Sequence, residues 1–230
     1  MAKRKSAEVS FEEVSASAAN DSAPFWVKYE KQILYGLGAI AALVAGWFLY
    51  KSFIVAPRQK EAVAAMWQAQ LQFKRDSFQL ALENPGGGFE GFRSIADNYG
   101  STPAGNMARY YAGVCCLHLG DYDEAIRFLE KYSPKDELTA HTRNGMLGDC
   151  YAEKKDMSKA LSYYEKAVSS GNNELLSAYY LKKVGMLNEY QGNKEAAAKA
   201  YERLRRDFPN QSSSDWSEIE KYIYRASGGK

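Results

Sequence analysis

Residues 106–133, NMARYYAGVCCLHLGDYDEAIRFLEKYS, decide the fold. Small and apolar residues at Ala108, Ala112, Gly113, Cys116 and Leu119 recur at the spacing of one helix face. Leu119-Gly120-Asp121-Tyr122 then interrupts the pattern. Gly120 suits the left-handed conformation that closes a helix, and Asp121 suits the cap of the next. A second helix follows, with Ala125, Phe128, Leu129 and Tyr132 as its apolar stripe. Two helices joined this tightly cannot bury both of their faces alone. They require neighbouring copies.

The copies are present. Residues 106–133 resemble the tetratricopeptide repeat, with Ala112-Gly113 before the turn, Gly120-Asp121-Tyr122 at it and Ala125 after it. A second unit, 141–171, carries Leu147-Gly148, Tyr151, Asp156, Ala160, Tyr164 and Ala167. A third, 178–209, carries Val184-Gly185, Gly192-Asn193, Ala197, Tyr201 and Pro209. Gly113, Gly148 and Gly185 are 35 and 37 residues apart by subtraction, near the repeat period of about 34 in this class. Each glycine meets a steric need, because paired helices require a small residue where they cross. The expected fold is therefore all-α: a solenoid of antiparallel helix pairs at 106–210 (units 106–134, 141–171 and 178–209), preceded by one transmembrane helix.

Residues 1–24 read as a solvated cytoplasmic tail rich in Ser, Ala, Glu and Lys, with a basic start at residues 1–5. Residues 25–56 read as a membrane anchor. Phe25-Trp26-Val27 and Tyr29 suit the membrane interface, and the span covers about residues 33–55. Residues 32–50 carry no charge and include Gly36, Gly38 and Gly46. A buried core helix of this length would carry a polar face. A cleaved signal peptide would begin earlier and be followed by a small-residue cleavage site. Lys3, Arg4, Lys5, Lys28 and Lys31 before the span favour an inside N-terminus over Lys51, Arg58 and Lys60 beyond it. The expected topology is single-pass in a bacterial inner membrane, with an exported, periplasmic repeat domain. Residues 57–105 read as a linking helix, from about 58 to 82, and a degenerate first hairpin completed by a helix at 89–99. Asn84-Pro85-Gly86-Gly87-Gly88 separates the two helices. Residues 211–230 read as a capping helix opened by Ser214 or Asp215, with Trp216, Ile219, Tyr222 and Ile223 covering the end of the stack.

No catalytic constellation is visible in the 230 residues. Gly86-Gly87-Gly88 lacks the Lys-Ser/Thr of a phosphate loop. The only histidines are His118 and His141, with no ligand spacing. Cys115, Cys116 and Cys150 all fall on first helices and read as small core residues. Lys and Arg number 30 against 28 Asp and Glu, so no broad basic excess draws nucleic acid. The reading is a binding protein: not an enzyme, with no cofactor, no metal and no small-molecule substrate.

What remains is a surface. The first helices of such units line the inner wall, and periodicity places Met107, Tyr110, Tyr111, Val114, Thr142, Met146, Asp149, Tyr179, Lys182, Lys183 and Met186 on it. Aromatic rings, methionines and a few charges suit an adaptable protein-binding groove. The lysine and asparagine set that clamps the C-terminal carboxylate of cytosolic chaperones is missing; Tyr110, Val114 and Met146 stand in its places.

The layout as a whole is similar to the YfgM-like ancillary subunits of the SecYEG translocon. The residues that carry this likeness are Phe92-Arg-Ser-Ile95-Ala-Asp-Asn-Tyr99-Gly-Ser-Thr-Pro103, Ala108 to Ala112, and Gly120-Asp121-Tyr122-Asp123-Glu-Ala125. The longer N-terminal tail and the three-glycine linker depart from that pattern. The resemblance implies Sec translocon subunits, exported polypeptides and envelope chaperones as partners. Two alternatives stay open: a scaffold of a cell-envelope assembly or secretion machine, and a regulator of a membrane stress-response factor.

Overall fold

The computed structural model describes residues 29–209 and 219–228. The tail, Phe25-Trp26-Val27, and the Ser214, Asp215 and Trp216 expectations lie outside the described residues. The chain divides into two units, Met1–Val55 and Ala56–Lys230.

In the first unit, α1 (Glu30–Tyr50) leads into a π-helical turn, Lys51–Val55. No residue of either is buried. The helix is long and apolar enough to cross a membrane.

The second unit is helical throughout its described residues. Its elements are α2 (Ala56–Phe73), α3 (Phe78–Glu83), α4 (Phe92–Asn98), α5 (Pro103–His118), α6 (Tyr122–Lys131), α7 (Glu137–Glu153), α8 (Met157–Val168), α9 (Glu174–Tyr190), α10 (Lys194–Asp207) and α11 (Ile219–Ala226). Each helix from α4 onward packs chiefly on its neighbours in the chain, and α2 and α3 both reach α5.

Local chemistry fixes the helix starts. The side chains of Thr102, Asp121, Asp136, Asp156 and Asn173 accept hydrogen bonds from the amides of Gly105, Glu124, Thr139, Lys159 and Leu176, at 2.8 to 3.2 Å. Each bond satisfies an amide that the first helical turn leaves without a partner. The turns within units also match. Gly120 and Gly192 close them at φ +77°, and Lys155 stands at the corresponding place in the middle unit at φ +64°.

The glycines that mark the repeat are crossing points. A Cβ on Gly113 would sit 2.7 Å from Leu129, and one on Gly148 would sit 2.5 Å from the ring of Tyr164. A Cβ on Gly185 would collide with the ring of Tyr201. Each partner lies 16 residues further on, by subtraction, so one contact recurs in all three units. Around these crossings the core holds Phe92, Phe128, Leu129, Leu147, Leu181 and Tyr201, all nearly or fully buried.

Two expected helices differ from the structure. The helix expected at 58–82 breaks after Phe73, where Asp76 turns left-handed at φ +55° and α3 begins at Phe78. Residues five apart on an unbroken helix point to different faces. The break lets both phenylalanines reach the α5 side: Phe73 packs edge-on against Tyr111 (5.1 Å), and Phe78 stacks on His118 (4.1 Å, 5°). The second helix begins at Phe92, not at 89, because Gly91 is extended (φ −74°, ψ 166°) and lies against the Leu82 carbonyl, where a Cβ would not fit. Asn84 ends α3 in the left-handed conformation (φ 43°, ψ 66°). At the far end, Ile219, Tyr222 and Ile223 pack against the third unit, with Tyr222 stacked 5.3 Å from Tyr201.

Candidate functional site

The first helices α5, α7 and α9 bring the wall positions to three different environments. At the first unit the wall is covered. Val114 is 9% exposed. Tyr111 stacks on Phe92 at 4.9 Å and meets Phe73 edge-on. Of these two positions, expected on the groove, Val114 is buried and Tyr111 is partly buried against the core. The reason is tertiary: α2 and α4 lie over α5, and their phenylalanines fill its face. Met107 is half-buried against the same core. Tyr110 is also half-buried; its ring packs 5.2 Å from Tyr132 and its hydroxyl donates to Thr142 Oγ1 at 3.1 Å.

The middle unit contributes a polar hinge between repeats. Met146 is half-buried against the core. Asp149 Oδ1 accepts from the Tyr164 hydroxyl and from Lys183 Nζ, each at 2.6 Å. Burial alone would lower the affinity of Lys183 for its proton, but the neighbouring Asp149 carboxylate outweighs it and the ammonium is held more firmly than usual. Burial, reinforced by Asp149, pushes the Tyr164 phenol well above the ordinary tyrosine range. Tyr164 therefore acts as a neutral donor.

At the third unit the wall is open. Tyr179 is 51% exposed, Met186 48% and Tyr190 72%. Together with Tyr164, Lys182 and Lys183 they line a cavity of about 430 Å³. The Lys183 ammonium lies 5.2 Å from the Tyr179 ring centre and 5.4 Å from that of Tyr164, within cation–π range. Lys182 lies over the Tyr222 ring at 5.3 Å. Of the eleven wall positions, Tyr179, Lys182, Lys183 and Met186 are thus gathered around one space, with Asp149 bonded to its edge. The sequence reading placed Tyr164 at a repeat position but not at the cavity, and missed Tyr190. Tyr190 was within reach, since it stands one turn beyond Met186 on the same face.

Three stretches, 92–137, 143–170 and 183–210, each match a model of the tetratricopeptide repeat. The fold is a tetratricopeptide-repeat array. The first match begins at Phe92, so α4 belongs with the repeats and not only with the linking segment. No curated protein matches the chain.

The residues with chemical potential elsewhere in the array are taken up by packing. Cys115, Cys116 and Cys150 are buried free thiols, and burial pushes each up to about 12. His141 is buried, with Nδ1 2.6 Å from the Ala167 carbonyl oxygen. Among the described residues no group of three His, Cys, Asp or Glu is placed to hold a metal ion. The open cavity offers aromatic faces, a methionine and ammonium groups. That chemistry suits the binding of a side chain.

Proposed function

We propose that this chain is a membrane-anchored scaffold whose repeat array captures protein segments at the α9 wall. The observation that carries the reading is one helix with two fates. Tyr180, Leu181 and Val184 of α9 are buried between repeats, while Tyr179, Met186 and Tyr190 of the same helix are exposed around a cavity. Exposed aromatic and methionine side chains gathered at a concavity mark binding surfaces. The helix α1 serves as the anchor. It keeps the array close to membrane-bound partners and raises its effective concentration there.

In this reading the N-terminus is cytoplasmic, the repeats face the exported side of a bacterial inner membrane, and the partners are Sec translocon subunits, exported polypeptides or envelope chaperones. The likeness of residues 92–125 to YfgM-like translocon subunits supports the assignment. The binding wall comprises Tyr179, Lys182, Lys183 and Met186, extended by Asp149 and Met146.

In-cell photocrosslinking tests it. A crosslinker at Tyr179 or Met186 should capture exported chains or chaperones, and one within residues 35–50 should capture translocon subunits. Envelope assembly proteins without translocon components would point to an assembly scaffold. Cytosolic proteins crosslinked to the repeats would reverse the topology.

A further inference from the structure

We infer that the segment captured at the α9 wall is a short amphipathic helix of a partner protein, presenting an aromatic side chain with apolar residues three and four places further on. This deepens the proposed protein-binding function and rests on it.

The repeat register shows how this chain covers the same wall elsewhere. Gly113 and Gly185 are 72 residues apart by subtraction, so Met107, Val114 and His118 of α5 correspond to Tyr179, Met186 and Tyr190 of α9. On α5 these places are occupied from within the chain. Met107 packs against the core, Val114 is buried, and Phe78 of α3 stacks on His118 at 4.1 Å. Ala81 and Leu82, three and four places beyond Phe78 and so on the same side of α3, are buried in the core that α5 shares. The break at Asp76 is what lets this six-residue helix lie on α5. On α7 the corresponding places hold Thr142, Asp149 and Glu153, which call for no apolar cover. On α9 they are aromatic and thioether again, and exposed.

The wall also distinguishes a helix from an extended chain. Tyr179, Met186 and Tyr190 fall on one stripe of α9, and its ends are about 16 Å apart along the axis. Roughly three turns of a second helix match that length. No Asn or Gln lines the cavity beside the stripe, so an extended segment would find no carboxamide for its backbone groups. A helix brings its backbone hydrogen bonds with it and asks the wall only to bury side chains. The cavity of about 430 Å³ has room for an aromatic side chain. The Tyr190 ring, 72% exposed, offers the stacking face that His118 offers to Phe78.

The test uses the full chain in a non-ionic detergent and a short fluorescent peptide, acetylated and amidated, held helical by a side-chain lactam, with Phe, Ala and Leu at the spacing they have in α3. One counterpart has a proline in mid-sequence in place of the lactam, and a second has Ala in place of Phe. The locked helix should bind roughly tenfold tighter than the proline form, because its backbone is ordered beforehand, and the Ala form should lose about as much. Tyr179→Ala and Tyr190→Ala should each weaken the locked helix by about fivefold or more while leaving the circular dichroism of the chain unchanged. Equal affinity of the locked and proline forms overturns the helical assignment, and so does failure of every probe. Unchanged affinity after both tyrosine substitutions overturns the site. A dimer in detergent that Tyr190→Ala dissolves makes a second copy the occupant and overturns the partner. In each case crosslinking at Tyr179 in cells decides the proposed function separately. If Tyr179 still captures proteins, the scaffold reading stands without the helical preference; if it captures none, both are lost.

Discussion

The ring of Tyr164 occupies the place that a side chain on Gly148 would need, 2.5 Å from the position of its Cβ. Tyr164 cannot readily yield, because its hydroxyl is held by Asp149, which also holds Lys183 from the next unit. One glycine thereby sets how closely α7 and α8 pack and where the edge of the cavity lies. Gly148→Leu should cost about 1–3 kcal/mol of stability by overpacking. Chemical denaturation of the purified chain reads this directly, and an unchanged midpoint would mean that the crossing is looser than the structure describes.

Lys155 holds a backbone conformation that Gly120 and Gly192 hold in the other two units. A side chain at positive φ is disfavoured, and glycine is not. Lys155→Gly should stabilise the array by a few tenths to about 1 kcal/mol, less whatever the freer unfolded chain regains. A raised thermal midpoint is the expected result.

Glu124 ties α4 to α6. Arg127 bonds it twice, at 2.7 and 2.8 Å, and Arg93 bonds it from α4. The Arg127 bonds first, with those of Arg93, outweigh the effect of burial and hold the carboxyl down at about 2. A carboxyl depressed in the folded state contributes stability above its ordinary range and loses it as the pH falls from there through about 2. Acid titration of Glu124→Gln should show lower stability at neutral pH and a flatter curve across that window. Parallel curves for the two proteins would contradict the ion-pair account.

Tyr110 and Tyr179 separate packing from binding. Tyr110 is half-buried against Tyr132 and bonded to Thr142, so Tyr110→Ala should cost about 1–2 kcal/mol. Tyr179 is half-exposed and meets Tyr180 only edge-on at 5.0 Å. Tyr179→Ala should cost less than about 1 kcal/mol while reducing partner capture. Differential scanning calorimetry beside a pull-down distinguishes the two effects.

The three cysteines should be inert in the folded protein. With each thiol buried and pushed up to about 12, thiolate is scarce near pH 8 and reagents cannot reach it. A thiol-reactive chromophore should label none of them in the native chain and all three in denaturant. Rapid native labelling would show that the array opens locally.

The repeat units were legible in the sequence because their determinants are local and recur. Gly113, Gly148 and Gly185 announced the helix crossings, and Asp121, Asp156 and Asn193 announced the second helices. Gly120 and Gly192 announced their turns. The middle turn lacked its glycine, yet the same left-handed residue is there as Lys155, because the surrounding helices impose the geometry on whatever residue occupies it. Tyr179, Lys182, Lys183 and Met186 were legible as a set for a similar reason: they share one face of one helix.

The sequence by itself determined the class of fold, the number of repeats and an N-terminal helix apolar enough for a membrane, since each depends on patterns within a few turns of chain. Tertiary structure alone decided that the helix expected at 58–82 breaks at Phe73, that Val114 is buried and Tyr111 packs against the core, and that the opening lies at α9. Those outcomes depend on which helix covers which. Phe73 and Phe92 reach Tyr111 from outside its unit, and no periodicity within α5 records their arrival.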